Sequence, residues 1–379
     1  MSDSFVSEEK RTRFKFNTEL LRNTLTIKRI RKNFRIQLCR HPLRLVDAYT
    51  AIQISVDISG EENKQTMREN ISNVLSEITK VVLGKDDVVA KVMMSILASG
   101  HVLLEDVPGV GKTTLAIAFA RALALETKRV QFTSDTVPSD VVGISIMDRS
   151  TGEFTYKPGA IMTNILLADE INRTSSKTQS ALLEAMEESN VTVDGHTHPL
   201  PSPFVVLATQ NPFGSAGTLM LPNSQLDRFM IRISMGYPNF QSQVSILEDR
   251  NYTNPMDAVK RVLTREELIS IIEEVNNVHI EKRIHEYVTE LTEATRVHPM
   301  IALGISPRGA LALCRMAKAR AYLFGREFVV PEDIAAVAPD VFAHRLILSS
   351  KARFNETGAS ELVEDILKQV EMPVLGALK

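Results

Sequence analysis

The sequence predicts an α/β core built on parallel strands, followed by an all-helical domain. Three observations carry that prediction. A short apolar strand at residues 101–105 runs into a glycine-rich loop and then into an Ala/Leu-rich helix. Two further apolar runs, 164–168 and 204–208, each stop abruptly in polar residues. Beyond Tyr237-Pro238 the strand pattern ends, and apolar residues recur at three- and four-residue spacings instead.

The 379 residues suffice for two or three domains, at roughly 100–200 residues each. A composition of 44% hydrophobic and 24% charged residues is ordinary for a soluble globular protein. The two cysteines, Cys39 and Cys314, stand in no metal or redox spacing, which fits a reducing compartment. No apolar run reaches the roughly 18 residues of a membrane span. The start of the chain also lacks the continuous apolar stretch of a secretory signal. A cytoplasmic protein is therefore expected. The net charge of −2 conceals an asymmetry, because residues 1–45 hold twelve Lys/Arg against four Asp/Glu. The remainder holds 32 Lys/Arg against 42 Asp/Glu, a balance of −10. A domain that grips a nucleic-acid backbone carries the opposite sign, so this argues against a nucleic-acid motor.

Residues 1–66 show no helical or strand period and contain basic clusters such as Lys28-Arg29-Ile30-Arg31-Lys32. A basic arm for nucleic acid or an acidic membrane is one reading. The favoured readings are a disordered tail, or a start assigned too early with Met67 as the true first residue. From Ile71 onward, Val74, Ile78, Val81 and Val82 follow at helical spacing.

The loop after the first strand is Asp106-Val-Pro-Gly-Val-Gly-Lys-Thr-Thr114. Strand, glycine-rich loop and helix in that order form a phosphate cradle. Gly109 and Gly111 let backbone N–H groups turn toward an anion, and the helix start adds its positive dipole end. Pro108, Val110 and Thr114 complete the cradle. Lys112 can reach the β- and γ-phosphates of a nucleotide, and the Thr113 hydroxyl can ligate Mg²⁺. One position departs from the usual spacing, since Asp106 stands where a glycine is expected.

The second apolar run ends in Asp169-Glu170. Functional groups gather at the carboxyl ends of strands in a parallel sheet. There, Asp169 can hold the Mg²⁺ shell and Glu170 can orient and polarise the attacking water. The third run ends in Thr209-Gln-Asn-Pro212, and Asn211 can bond the γ-phosphate or the lytic water. On its own, an Asn before Pro is an ordinary turn; three strand ends together are more specific.

These pieces resemble the MoxR family of AAA+ ATPases. The strings that carry the resemblance are Leu104-Glu-Asp-Val-Pro-Gly-Val-Gly-Lys-Thr113, Asp169-Glu-Ile-Asn-Arg-Thr174, Lys177-Thr-Gln-Ser-Ala-Leu-Leu-Glu-Ala-Met186, Ala208-Thr-Gln-Asn-Pro212, Leu221-Pro-Asn-Ser-Gln-Leu-Asp-Arg-Phe229 and Ile305-Ser-Pro-Arg-Gly309. The resemblance spans about residues 70–350. It implies a five-stranded parallel sheet with helices on both faces, a small helical lid, and a ring, expected as a hexamer, with ATP and Mg²⁺ bound between subunits. Asn211 is then similar to a sensor of the γ-phosphate. Arg228 resembles an arginine finger that enters the neighbouring subunit's site, the bland reading being an ion pair with Asp227 or another acid. Arg308 resembles a second sensor that contacts phosphate from the lid of the same chain. A permanent, forked cation suits both tasks. Asn223 stands where the family usually has Glu. Two insertions also fit: residues 139–159 read as a hairpin or helix–strand unit, and 190–198 as a hairpin turning at Asp194-Gly195. His196 and His198 lack a third metal ligand and read as strand-surface histidines.

The helical region begins near residues 238–258. Stretches 265–275, 284–297 and 310–323 are amphipathic, and Pro331 opens a further helix at its first position. Cys314 falls on an apolar face and is expected in the core. The expected domains are therefore 1–66, a core at 67–237, a lid at 238–350, and a tail at 351–379 with a short helix from 360 to 370. The function expected from the resemblance is chaperone-like remodelling or maturation of a protein client, with von Willebrand factor A domain partners. A helicase-like motor and a magnesium-chelatase-like ATPase subunit are the alternatives.

Overall fold

The computed structural model describes residues 62–107, 109–150, 152–211, 221–249 and 255–374. The basic stretch at 1–61, and the choice between tail and late start, lie outside them. The boundary expected at 66/67 falls inside helix α1 (Glu62–Thr79).

The core opens with α1 and α2 (Asp86–Leu97), then alternates strand and helix. β1 (Val102–Glu105) leads to α3 (Lys112–Ala122), β2 (Thr127–Gln131), α4 (Pro138–Val142) and the hairpin of β3 (Gly143–Met147) and β4 (Phe154–Pro158). β5 (Ile165–Asp169) leads to α5 (Ser176–Glu188), the hairpin of β6 (Asn190–Val193) and β7 (His196–Pro199), then β8 (Val205–Gln210), α6 (Asn223–Leu226) and β9 (Ile231–Ile233). The central sheet runs β2-β5-β8-β1-β9, and every pair in it is parallel. All residues of β5 and β8 are buried, as strands covered on both faces must be.

Alternation along each strand divides the apolar residues between two layers. Val102, Leu104, Ile165, Leu167, Val205 and Leu207 pack with α1, α2, α3 and the lid. Leu103, Leu166, Ala168, Val206 and Ala208 pack with α4 and α5. Between the layers, His101 fastens the strand starts. Its Nδ1 accepts from Val206 N at 3.0 Å, so its Nε2–H donates to Met186 O at 2.9 Å. Complete burial holds this imidazole down to about 4, and it is neutral near pH 7.

The β3–β4 insertion is both a helix and a hairpin, with α4 running directly into it. Gly143 sits at φ 98°, and a Cβ there would lie 2.5 Å from Lys157 O, so only glycine turns the chain at this point. In the β6–β7 turn, Asp194 and Gly195 have φ of 48° and 80°, the paired positive values of a tight hairpin turn. The two insertions touch: Tyr156 stacks on His198 with ring centroids 3.8 Å apart.

After α7 (Phe240–Asp249), the lid comprises α8 (Arg265–Asn276), α9 (Lys282–Val297), α10 (Pro307–Leu323), α11 (Pro331–Phe342), α12 (Ser350–Phe354) and α13 (Ala359–Gln369). A short antiparallel pair, β10 (Ile301–Leu303) and β11 (Ile347–Leu348), joins two of its loops. Local chemistry starts these helices. Thr264 Oγ1 accepts from Glu267 N while Glu267 Oε2 accepts from Thr264 N, a reciprocal cap for α8. Ser306 caps α10 ahead of Pro307. The segment expected as a separate tail is part of the lid, because α13 buries Leu362, Val363 and Ile366 in the shared core. Cys314 is only partly buried, with Sγ 4.0 Å from His285 Nδ1.

Arg345 fastens lid to core. Its side chain is 3% exposed. It donates to Asp227 Oδ1 at 2.7 Å, to Met230 O at 3.1 Å, and to the Asp227, Phe229 and Val341 carbonyls. Burial pushes its pKa down to about 10 against the pull of Asp227. His344 Nε2 meets Phe229 O, and Ser306 Oγ donates to Asp227 Oδ2. Arg345→Met would leave a carboxylate and several carbonyls unpaired, so a loss of about 3–5 kcal/mol is expected. Urea unfolding measures it, and a change below about 1 kcal/mol would show that the staple is not holding the lid.

Candidate active site

The carboxyl ends of β1, β5 and β8 form one rim of the sheet. After β1 the chain turns through Gly109 and Gly111, at φ 85° and 100°, into α3. Among the described residues no side chain caps α3, which leaves its first N–H groups facing an incoming anion. Among the described residues, a Cβ on Gly109 would meet nothing within 4 Å, and one on Gly111 only Met235 Cε at 3.9 Å. Open space over a bare helix start fits a phosphate group. Thr113 and Thr114 lie half-buried in the first turn, while Pro108 falls outside the described residues. Lys112 Nζ donates to Asp106 O at 3.0 Å. Burial lowers the Lys112 pKa, opposed by the carboxylates of Asp106, Asp169 and Glu170. One ammonium thus faces three acids.

Asp169 Oδ2 accepts from Arg129 Nε at 2.7 Å, and its Oδ1 from Thr209 Oγ1 at 3.3 Å. Glu170 follows with φ 55°, a left-handed value that a non-glycine residue holds only under constraint. Its amide donates to Thr209 Oγ1 at 2.8 Å, and its Oε2 accepts from Gln131 at 3.0 Å and Arg173 at 2.7 Å. Asn211 directly follows β8 on the same rim. Arg129, Gln131 and Thr209 are site residues that sequence reasoning missed. The first two belong to β2, whose Thr-Lys-Arg-Val-Gln gives little strand signal.

Arg228 and Arg308 lie at the other rim. Arg228 precedes β9, and its NH1 donates to Leu183 O at 2.6 Å and pairs with Glu187 Oε2 at 3.2 Å. Arg308 pairs with the other oxygen of Glu187. Both line a cavity of about 620 Å³ together with His101 and Phe204, which stand at the starts of β1 and β8. Six residues of β8 separate this rim from Asn211, roughly 15 Å or more at the rise of a strand. Arg308 therefore lies at the rim opposite the phosphate loop of its own chain. Arg345 and Ser306 hold it there by docking the start of α10 against Asp227. Asp227 serves the lid, and the ion pair of Arg228 is made with Glu187. Asn223 lies exposed on α6. Among the described residues no group of His, Cys, Asp and Glu could form a metal cluster, His196 and His198 included.

A bare helix start, a loop lysine and an acidic strand end, in a chain that continues into a helical lid, define a phosphate-loop ATPase of the AAA class. Residues 101–231 match the family described as ATPase family associated with various cellular activities (AAA), and residues 293–366 match the AAA lid domain. The chain is 47% identical over 304 residues to the uncharacterized protein YeaC of Bacillus subtilis, covering 80% of this chain and 95% of that one. It is 36% identical to Chaperone MoxR1 of Mycobacterium tuberculosis over 84% of this chain and 86% of that one. A crystallised candidate ATPase of Cytophaga hutchinsonii superposes with a TM-score of 0.78 at 37% identity, covering 83% of this chain and 98% of that one. The chain belongs to the MoxR family of AAA+ ATPases.

Two substitutions separate binding from chemistry. Lys112→Ala is expected to weaken nucleotide binding at least about tenfold, through loss of one charge-assisted phosphate contact. Glu170→Gln is expected to keep nucleotide binding while hydrolysis falls about a hundredfold or more. Titration with a fluorescent ATP analogue beside a phosphate-release assay reads both; the reverse pattern would contradict the assignment of the rim.

Proposed function

We propose that the protein is a ring-forming, Mg²⁺-dependent ATPase whose hydrolytic sites are each built by two neighbouring subunits. The observation that carries this reading is the placement of Arg228 and Arg308 at the rim opposite Lys112, Asp169 and Glu170. Cations of this kind stabilise phosphoryl transfer only by direct approach to the phosphate. A second copy of the chain, turned so that its strand-start rim meets this chain's strand-end rim, provides that approach. Such a head-to-tail contact generates a ring when its rotation closes, and the family resemblance favours a hexamer.

Within each site Lys112 and the α3 N–H groups bind the phosphates. Thr113 and Asp169 would hold the metal, and Mg²⁺ when bound would neutralise phosphate charge. Glu170 orients the water and draws off its proton, with Asn211 placed for the γ-phosphate side. Arg228 and Arg308 arrive from the neighbour.

The work done with this hydrolysis is remodelling or maturation of a protein client. The β3–β4 hairpin supports it by exposing Ile144, Ile146, Met147 and Phe154, the last 73% exposed. Apolar residues grouped on an exposed insertion suit a protein partner better than a phosphate backbone. The −10 balance after residue 45 points the same way. A von Willebrand factor A domain protein is the partner class that the family resemblance favours, and the cytoplasm the compartment. No helix among the described residues is long and apolar enough to cross a membrane.

ATPase rate per subunit, measured against protein concentration, tests the shared site. For the wild type the specific rate should climb with concentration and then level off. Arg228→Ala and Arg308→Ala should each flatten it, with Arg228→Ala lowering the plateau by about a thousandfold. A constant specific rate that neither change affects would mean that each chain hydrolyses alone.

A further inference from the structure

We propose that Asp106 is a positioning residue that couples the phosphate loop to the segment leading into the lid. The inference rests on the reading of the 106–114 loop as the phosphate site. It begins from the one position where that loop departs from the expected motif.

Asp106 is the first residue after β1 and is only 6% exposed. Its carboxylate is fully engaged by three consecutive residues: Oδ1 accepts from Ser234 Oγ at 2.8 Å and Gly236 N at 3.0 Å, and Oδ2 from Met235 N. These donors directly follow β9, on the path to α7 and the lid. Hydrogen bonds to a buried carboxylate are of the stronger kind and tolerate little drift in geometry. Residues 234–236 therefore take their position from Asp106.

The backbone of the same residue is engaged on two other sides. Its N–H donates to Gln210 O at 3.2 Å, beside Asn211. Its carbonyl accepts from Lys112 Nζ at 3.0 Å. One residue thus joins the end of β8, the loop lysine and the exit from β9. Neighbouring contacts stiffen the connection. Met235 Cε approaches the loop at Gly111, and Lys85 Nζ holds Tyr237 O at 2.8 Å.

A glycine at 106 would leave the loop intact and the 234–236 segment unheld. With aspartate, whatever moves Lys112 also moves this segment. When Lys112 turns from the Asp106 carbonyl toward a phosphate, that carbonyl loses its charged partner and the 106–107 peptide is released. The carboxylate carries the shift to 234–236. The occupancy of the loop is in this way reported to the chain that enters the lid, and the lid in turn carries Arg308 toward the neighbouring subunit.

The test uses the full-length chain with Asp106→Asn, Asp106→Gly and Ser234→Ala. Three quantities are read: affinity for a fluorescent ATP analogue, kcat and KM for ATP, and hydrogen exchange of the 234–239 peptide with and without a non-hydrolysable ATP analogue. In the wild type the analogue should change exchange at 234–239. Asp106→Asn and Asp106→Gly should bind it within about threefold of wild type, lose that exchange response, and lower kcat about tenfold with KM little changed. Ser234→Ala leaves the loop untouched and removes one of the three donors, so kcat should fall about two- to fivefold. It also decides the matter if the Asp106 variants do not fold.

Wild-type kcat and exchange response in the Asp106 or Ser234 variants would overturn the coupling. So would loss of analogue affinity in step with kcat, which would make Asp106 a part of the phosphate cradle. Lys112→Ala reads the underlying assignment separately. If it binds the analogue like wild type, the phosphate-site reading fails and the coupling falls with it. If it loses the analogue while the Asp106 variants behave as wild type, the coupling alone fails.

Discussion

All five strands of the central sheet run the same way, and this constraint decides what one chain can do alone. Every strand end lies at one rim and every strand start at the other. Asp169 ends a strand, and Lys112, Glu170 and Asn211 follow strands, so they collect at the first rim. Arg228 precedes β9, so it falls at the second. Arg308 belongs to the lid and could lie at either, but Arg345 and Ser306 hold the lid against the Asp227 turn and bring Arg308 beside Arg228. Groups that attract phosphate are thus divided between opposite faces of one molecule.

Both faces are neutralised within the chain, and the strength of the pairing differs by task. Asp169 meets Arg129, Glu170 meets Arg173, and Glu187 is shared by Arg228 and Arg308. Each of these pairs has a side chain more than a third exposed, and such pairs are worth only about 0–1 kcal/mol. They can be exchanged for a phosphate or a cation at small cost. The pairs that hold the architecture lie deeper, none of their side chains more than a quarter exposed. Asp333, fully inaccessible, lies between Arg320 and Arg326, and Arg345 holds Asp227 with its side chain 3% exposed. Breaking one of those costs several kcal/mol. Exchangeable contacts at the rims and fixed ones at the lid joint suit a machine that must open and close its sites without losing its shape.

The parts of this design legible in the sequence are those written locally. Continuous apolar runs marked β5 and β8 because both faces of these strands are covered. Helical spacing and Pro331 at a first helical position marked the lid helices, and Asp194-Gly195 marked a hairpin because the turn needs two positive φ values. What stayed hidden depends on tertiary placement. β2 is a polar edge strand and β9 has three residues, so neither carries a readable period, and Arg129 and Gln131 went unnoticed with β2. Glu187 sits among other acids on a charged helix. The motif around Arg308 announces a helix start but not the rim that receives it. Asp106 looked like a flaw in a loop motif, because its partners lie about 130 residues further on.

The central claim is that a working site takes its acidic rim from one chain and its arginines from the next. Mixing two inactive chains tests it most directly. Arg228→Ala retains an intact acidic rim, and Glu170→Gln retains intact arginines, so rings containing both regain complete interfaces at about one contact in four. ATPase of an equimolar mixture, reassembled from dissociated subunits, should clearly exceed the mean of the two separate preparations. A mixture no more active than that mean, with mixed rings verified by mass, would contradict the account.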